Sequence, residues 1–149
     1  MPTSVQLLLI AEAPPAASDR YFYFPEVAEH DALFRYVARM VLGVEPTRMK
    51  KAELLEKLKA RDVFLIDLKL DPVDHTPLAE HVPALIRHVR QLALEKIILI
   101  KASVYDAAYR ALAAADLPVI DERVPFPGSG QQRRFEEAFS RALSRDPRP

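Results

Sequence analysis

Apolar residues in this chain gather into a few short, nearly unbroken runs, and the stretches between them carry helical spacing. Val5 to Ile10 is apolar apart from Gln6. A run of this length reads as a strand covered on both faces. Val63 to Leu68 (VFLIDL) and Lys96 to Ile100 (KIILI) repeat the pattern, and Val119-Ile120 is a shorter fourth run. Asp31 to Leu42 carries Leu33, Phe34, Val37, Met40 and Val41 at the repeat of a helix, and Gly43 ends it. A second helix is predicted from about Arg48 to Ala60, with Leu54, Leu55 and Leu58 on its apolar stripe. Thr76 and Pro77 suit the cap and first turn of a third, although Pro83 predicts a later start or a kink. Ser103 is the expected cap of an alanine-rich helix ending near Asp116, and a last helix is predicted from about Gln131 to Arg145.

The order is thus β-α-α-β-α-β-α-β-α. Continuous apolar strands with helices between every pair predict one α/β domain over residues 1–149, a three-layer α/β/α sandwich around a four-stranded parallel sheet. Ligands of such sheets sit beyond the carboxyl ends of the strands, so the loops there are the places to look for chemistry.

Composition narrows the choices. The chain has no cysteine, which excludes disulfides, thiolate metal sites and a nucleophilic thiol. The first apolar run is too short for a membrane span and has no basic segment before it, so the expected setting is cytoplasmic, with no membrane partner. The 21 basic residues balance the 21 acidic ones, and a protein that coats DNA non-specifically is usually more basic. Local positive faces remain: Arg48, Lys50, Lys51, Lys57, Lys59 and Arg61 in one segment, and Arg133, Arg134, Arg141, Arg145 and Arg148 in the tail. Either is a candidate face for a polyanion, or a solvated helix surface. There is no GxGxxG, P-loop or GxSxG sequence, and no cofactor is called for.

Three predicted strand ends carry candidate residues. Glu12 follows the first strand within Ala11-Glu12-Ala13-Pro14-Pro15, and the same loop continues into the aromatic run Tyr21, Phe22, Tyr23, Phe24. Such a run either stacks on a planar ligand or plugs the core. Asp67 lies within the second apolar strand, where a carboxylate is costly unless paired or functional. Asp71, Asp74 and His75 follow it, at a spacing that matches no standard metal site, so no metal is expected. The third stretch is Val124 to Arg134. It holds two of the chain's three glycines, Gly128 and Gly130, directly before a helix. With Pro125, Phe126, Pro127, Ser129, Arg133 and Arg134, it suits either a phosphate at a helix N-terminus or a tight turn.

Two of these motifs together resemble a known group. LLLIAEAPP is similar to the GEAPG motif of one branch of the uracil-DNA glycosylase superfamily, and VPFPGSG resembles the HPSP-type loop near the C-terminus of those enzymes. Asp67 falls where that family keeps an Asn that reads the base, and the element order fits its fold over most of the chain. The resemblance implies a DNA N-glycosylase. Glu12 would help position the attacking water. Tyr21, Phe22 or Tyr23 would stack on the extruded base, and Asp67 would read its edge. Val124 to Gly130 would run along the DNA backbone. The departures are specific: Val124 stands for the family's His, Ala11 and Pro15 for its glycines, Asp67 for its Asn, and the cysteines of the GEAPG branch are absent. Three functions therefore stand side by side. One is a glycosylase acting on a modified base. The second is a catalytically inactive module for single- or double-stranded nucleic acid or a nucleotide. The third is an unrelated α/β domain that binds a small phosphorylated ligand or a protein.

Overall fold

A computed structural model of the chain describes residues 4–12, 32–43, 51–69, 76–127 and 130–147. The described elements run β1 (Ser4–Val5), β2 (Leu7–Ala11), α1 (Ala32–Leu42), α2 (Lys51–Ala60), β3 (Val63–Asp67), a 3₁₀ turn (Leu78–His81), α3 (Val82–Val89), β4 (Ala93–Leu94), β5 (Ile97–Leu99), α4 (Ala102–Ala114) and α5 (Gln132–Ser144). The protein is mixed α/β, with a three-stranded parallel sheet in the order β3-β2-β5. All five residues of β2 are buried. Its register runs from Leu7↔Val63 to Ala11↔Asp67 on one side and from Leu8↔Ile97 to Ile10↔Leu99 on the other.

The alternation of a strand sends its side chains to two apolar clusters. Leu7, Leu9 and Ala11 join buried residues of α1, α2 and α5. Leu8 and Ile10 join those of α3 and α4. The helices match at their own period. Val104, Ala108 and Leu112 form the buried stripe of α4, and Phe135, Ala138, Phe139 and Ala142 that of α5. Phe135 stacks on Phe139 with ring centroids 5.0 Å apart and meets Tyr36 of α1 edge-on at 5.9 Å.

The sheet is not four-stranded. Val119 and Val124 make single parallel bridges to Ile97 and Ile100, and the residues between them form no ladder. Ile97 and Ile100 are three residues apart, whereas Val119 and Val124 are five apart, so two residues are in excess and the chain bows away. The first strand is also divided. Val5 and Leu94 pair in β1-β4, but at Gln6 the chain turns to its other neighbour, and the amides of Gln6 and Leu7 both donate to Asp62 O, at 2.9 and 3.1 Å.

Helix ends follow their sequence signals in part. Gly43 stops α1 with φ 69°, and its amide donates to Arg39 O at 3.0 Å. Pro83 sits at the first turn of α3, which starts at Val82 behind the 3₁₀ turn, the later start that a proline without an N–H requires. Thr76 caps no helix, because its hydroxyl meets His81 Nε2 at 2.7 Å. Among the described residues no helix is long and apolar enough to cross a membrane.

Phe135 is fully buried and ties α5 to α1 through Tyr36, so Phe135→Ala should cost about 3–5 kcal/mol in urea unfolding, the usual loss for a large core aromatic. A loss under ~1 kcal/mol would place Phe135 outside the cooperative core.

Candidate functional site

The carboxyl ends of the parallel strands bring three segments to one rim. Glu12 follows β2 directly, Asp67 is the last residue of β3, and Lys101 lies just beyond β5. The ladder continues a little past the strands: Leu68 N donates to Ala11 O and Lys69 N to Glu12 O, both at 2.8 Å. On the other side Ile100 N donates to Ile10 O, and Lys101 N to Val124 O, again at 2.8 Å. These bonds hold the backbones of Glu12, Lys69 and Lys101 at one level.

The Glu12 side chain reaches across to the start of α4. Lys101 Nζ forms an ion pair with Glu12 Oε2, and Ser103 Oγ donates to the same oxygen at 3.2 Å. Partial burial pushes the Glu12 carboxyl up. The hydrogen bonds from Lys101 and Ser103 and the charges of Lys101 and Lys69 outweigh that and hold it below its ordinary value. Glu12 is therefore an ionised acceptor at neutral pH. Ser103 is not the cap of α4. The helix begins at Ala102 with Lys101 in the cap position, and the Ser103 hydroxyl is engaged with Glu12 instead.

Asp67 is the contrasting carboxyl. It pairs in register with Ala11 and is partly buried at the sheet edge. Burial pushes its pKa up from 3.8 to about 6. Two carboxyls at neighbouring strand ends are thus shifted in opposite directions, because cations reach one of them and desolvation governs the other.

The third predicted stretch divides. Val124 does not run along an exposed surface: it is 0 % exposed, within the cluster of α1, α2 and α5. An apolar residue stands at that point because the position faces the core. Pro127 is buried, Pro125 is half-buried, and Phe126 projects with 40 % exposure. Gly130 adopts φ 75°, a backbone that glycine favours, with open space where a Cβ would stand. Arg133 is fully at the surface and donates to Glu137 at 3.3 Å along α5, and Arg134 is exposed beside it. Gly128, Ser129 and the aromatic run Tyr21, Phe22, Tyr23 and Phe24 lie outside the described residues, as do Asp71, Asp74 and His75.

Lys69, Lys101 and Ser103 are site residues that sequence reasoning misses. Lys101 had one usable signal, a charged residue directly after an apolar strand and before a helix. Lys69 is largely buried, which nothing in its sequence context indicates.

A cleft of about 520 Å³ opens at the opposite, amino-terminal ends of the strands, beside Leu7, Val63 and Lys96. Its cations are engaged with backbone carbonyls. Lys96 Nζ donates to Leu143 O at 2.6 Å, Arg61 to Val41 O at 2.9 Å and Arg145 to Asp121 O at 2.6 Å. The first two close the carboxyl ends of α5 and α1, a structural duty. Among the described residues no group of three or more His, Cys, Asp or Glu converges as a metal site would require.

Comparison of the chain with protein-family models, with curated proteins and with solved structures finds no match.

The two carboxyls make opposite contributions to acid stability. Asp67, raised on folding, stabilises fully below its ordinary value and loses that stabilisation as pH rises through about 6. Glu12, lowered on folding, stabilises above its ordinary value and loses that as pH falls. Asp67→Asn should flatten the stability decline between about pH 4 and 6 and leave the variant more stable than the parent above pH ~7. Urea unfolding over a pH series measures this, and an unaltered profile would mean that Asp67 titrates normally.

Proposed function

We propose that this protein is a uracil-DNA glycosylase-like domain that receives a base extruded from DNA at the rim formed by the carboxyl ends of β2, β3 and β5. The observation that carries the reading is the placement of Glu12 and Asp67 on adjacent strand ends, one ionised and one poised to titrate. The strand order supports it, with the first strand central. So do the two clusters fed by alternate residues of β2, which fit a three-layer α/β/α arrangement. The resemblance of the Glu12 and Phe126 loops to the superfamily's motifs points the same way.

In this reading Glu12 accepts a hydrogen bond from the attacking water, and Asp67 meets the base edge. Ionised Asp67 only accepts hydrogen bonds, which suits an amino-bearing base. Protonated, it presents a donor beside an acceptor, which suits the neighbouring N–H and carbonyl of uracil. Phe126, projecting from its loop, is placed to press against bases. Arg133 and Arg134 on α5 supply charge for phosphates. Extrusion costs a few kcal/mol, and stacking of ~1–3 kcal/mol per base is of the size needed to offset it.

One observation favours a second reading, a binding module that does not cleave. Val124 stands where the superfamily's His would steady the departing base, and it is sealed in the core. Charge stabilisation of this kind is often the largest single contribution to rate.

Fluorescence anisotropy with labelled oligonucleotides separates the readings from their alternatives. Wild-type protein should bind uracil-containing or abasic DNA, more weakly as salt rises, and removal of Arg133 or Arg134 should each lower the salt slope by ~1. Absence of binding at low salt would eliminate both nucleic-acid readings and leave small phosphorylated ligands and protein partners. If the domain excises bases, Glu12→Ala should abolish release while binding survives, and retained release would remove Glu12 from its role. The ratio of affinities for uracil- over cytosine-containing DNA should fall as pH rises through about 6, the value to which burial brings Asp67. A ratio independent of pH would take Asp67 out of base recognition.

A further inference from the structure

Three non-glycine residues have positive φ among those described: Asp62 (56°), Lys101 (84°) and Asp116 (60°). Two have ordinary explanations. Asp62 follows the end of α2 and Asp116 the end of α4, and aspartate is among the residues that tolerate a left-handed turn at a helix terminus. Lys101 has none of these. It precedes a helix, and its ψ of 135° lies outside the left-handed helical region that non-glycine residues occasionally visit. A long aliphatic side chain gains nothing from this backbone, and glycine would adopt it at lower cost. Backbone strain of this kind persists where the surroundings over-determine it, and it concentrates at functional sites.

Two sets of bonds fix the conformation. The Lys101 amide donates to Val124 O at 2.8 Å, and its carbonyl accepts from the amides of Val104 at 3.1 Å and Tyr105 at 3.2 Å. With both backbone groups tied, the side chain leaves toward Glu12, and its ammonium meets Oε2. Ser103 donates to the same oxygen. Neither partner is sealed away: the side chains of Lys101 and Glu12 are 47 % and 32 % exposed. A surface ion pair of this exposure adds little to stability, so stability does not account for the strained backbone.

We infer that Lys101 is a positioning residue, held in a strained backbone so that its ammonium fixes the orientation of the Glu12 carboxylate at the rim of the sheet. This rests on the proposed role of Glu12 for its chemical meaning, but its structural content stands apart from that role. Glu12 is the group that acts; Lys101 acts through it.

Three variants of the full chain test the inference: Lys101→Gly, Lys101→Met and Lys101→Arg. Lys101→Gly removes both the strain and the cation, Lys101→Met removes only the cation, and Lys101→Arg keeps the charge. Heat stability should not fall in Lys101→Gly, and this variant should melt above Lys101→Met. A residue retained for stability predicts the reverse, and a Lys101→Gly melting temperature below both the parent and Lys101→Met would overturn the inference. By NMR titration, the Glu12 carboxyl midpoint should rise in Lys101→Gly and Lys101→Met and stay near the parent value in Lys101→Arg. An unmoved midpoint in Lys101→Met would also overturn it.

Release of uracil from a uracil-containing oligonucleotide supplies the functional readout. Lys101→Met should lower the single-turnover rate at least 10-fold with little change in Kd, and Lys101→Arg should recover part of it. A parent rate retained in Lys101→Met would overturn the positioning role. If the wild-type protein releases no base, the glycosylase reading fails by itself. The melting and titration measurements then decide the Lys101 inference without it.

Discussion

β2 has no side open to water, and that constraint organises everything else. Its two backbone edges are bonded to β3 and β5, and its two faces are covered by separate apolar clusters. A slip of one residue against either neighbour would exchange the two clusters' side chains and draw Gln6 or Glu12 into the buried stretch. The register is therefore fixed along the strand, and with it the level at which each neighbouring chain leaves the sheet. Glu12, Lys69 and Lys101 meet at one rim because the ladder that places Leu9 in the core runs on through Ala11 and Ile10 to their backbones. The site inherits its geometry from the core.

At that rim, charge is distributed by reach. Glu12 and Asp67 begin as similar carboxyls on neighbouring strands. Lys101 and Ser103 extend to Glu12 and keep it ionised, whereas desolvation dominates at Asp67 and favours its neutral form. The same two residue types therefore offer an acceptor and a group that exchanges donor for acceptor near neutrality. Environments that push paired carboxyls apart in this way are a recurrent means of assigning different duties to one kind of side chain.

Much of the scaffold is legible in the sequence, and the reasons are local. The runs at Val5–Ile10, Val63–Leu68 and Lys96–Ile100 are strands because continuous burial needs continuous apolarity. Gly43 and Pro83 mark helix boundaries through backbone rules that need no tertiary partner. Illegible features depend on partners distant in the chain. Gln6 looks like one polar residue in a strand, yet it is where the chain changes neighbours, because the carbonyl it meets belongs to Asp62. Val119-Ile120 has strand composition but no ladder, because the spacing of its two bridges disagrees with that of β5. Glu12 and Asp67 are visible as candidates because carboxylates beside apolar strands stand out. Lys101 carries only the weak signal of a charge between an apolar strand and a helix, since lysine near a helix start is ordinary and its backbone angles have no sequence signature. Ser103 shows the same limit: its type suits a cap, and its distant partner, Glu12, decides otherwise.

The two residues in excess between Val119 and Val124 have a consequence for how this part of the chain tolerates change in length. Strand side chains alternate, so parity matters more than number. Removing two residues from Asp121–Arg123 would let the segment lie flat against β5 as a continuous ladder, with Val124 still turned to the interior. Removing one would turn Val124 outward, draw a polar neighbour into its place and rotate the carbonyl that anchors Lys101. Insertions and deletions here should therefore survive in even steps. The bow in the chain acts as a spacer whose even length keeps the core and the rim of the site in phase.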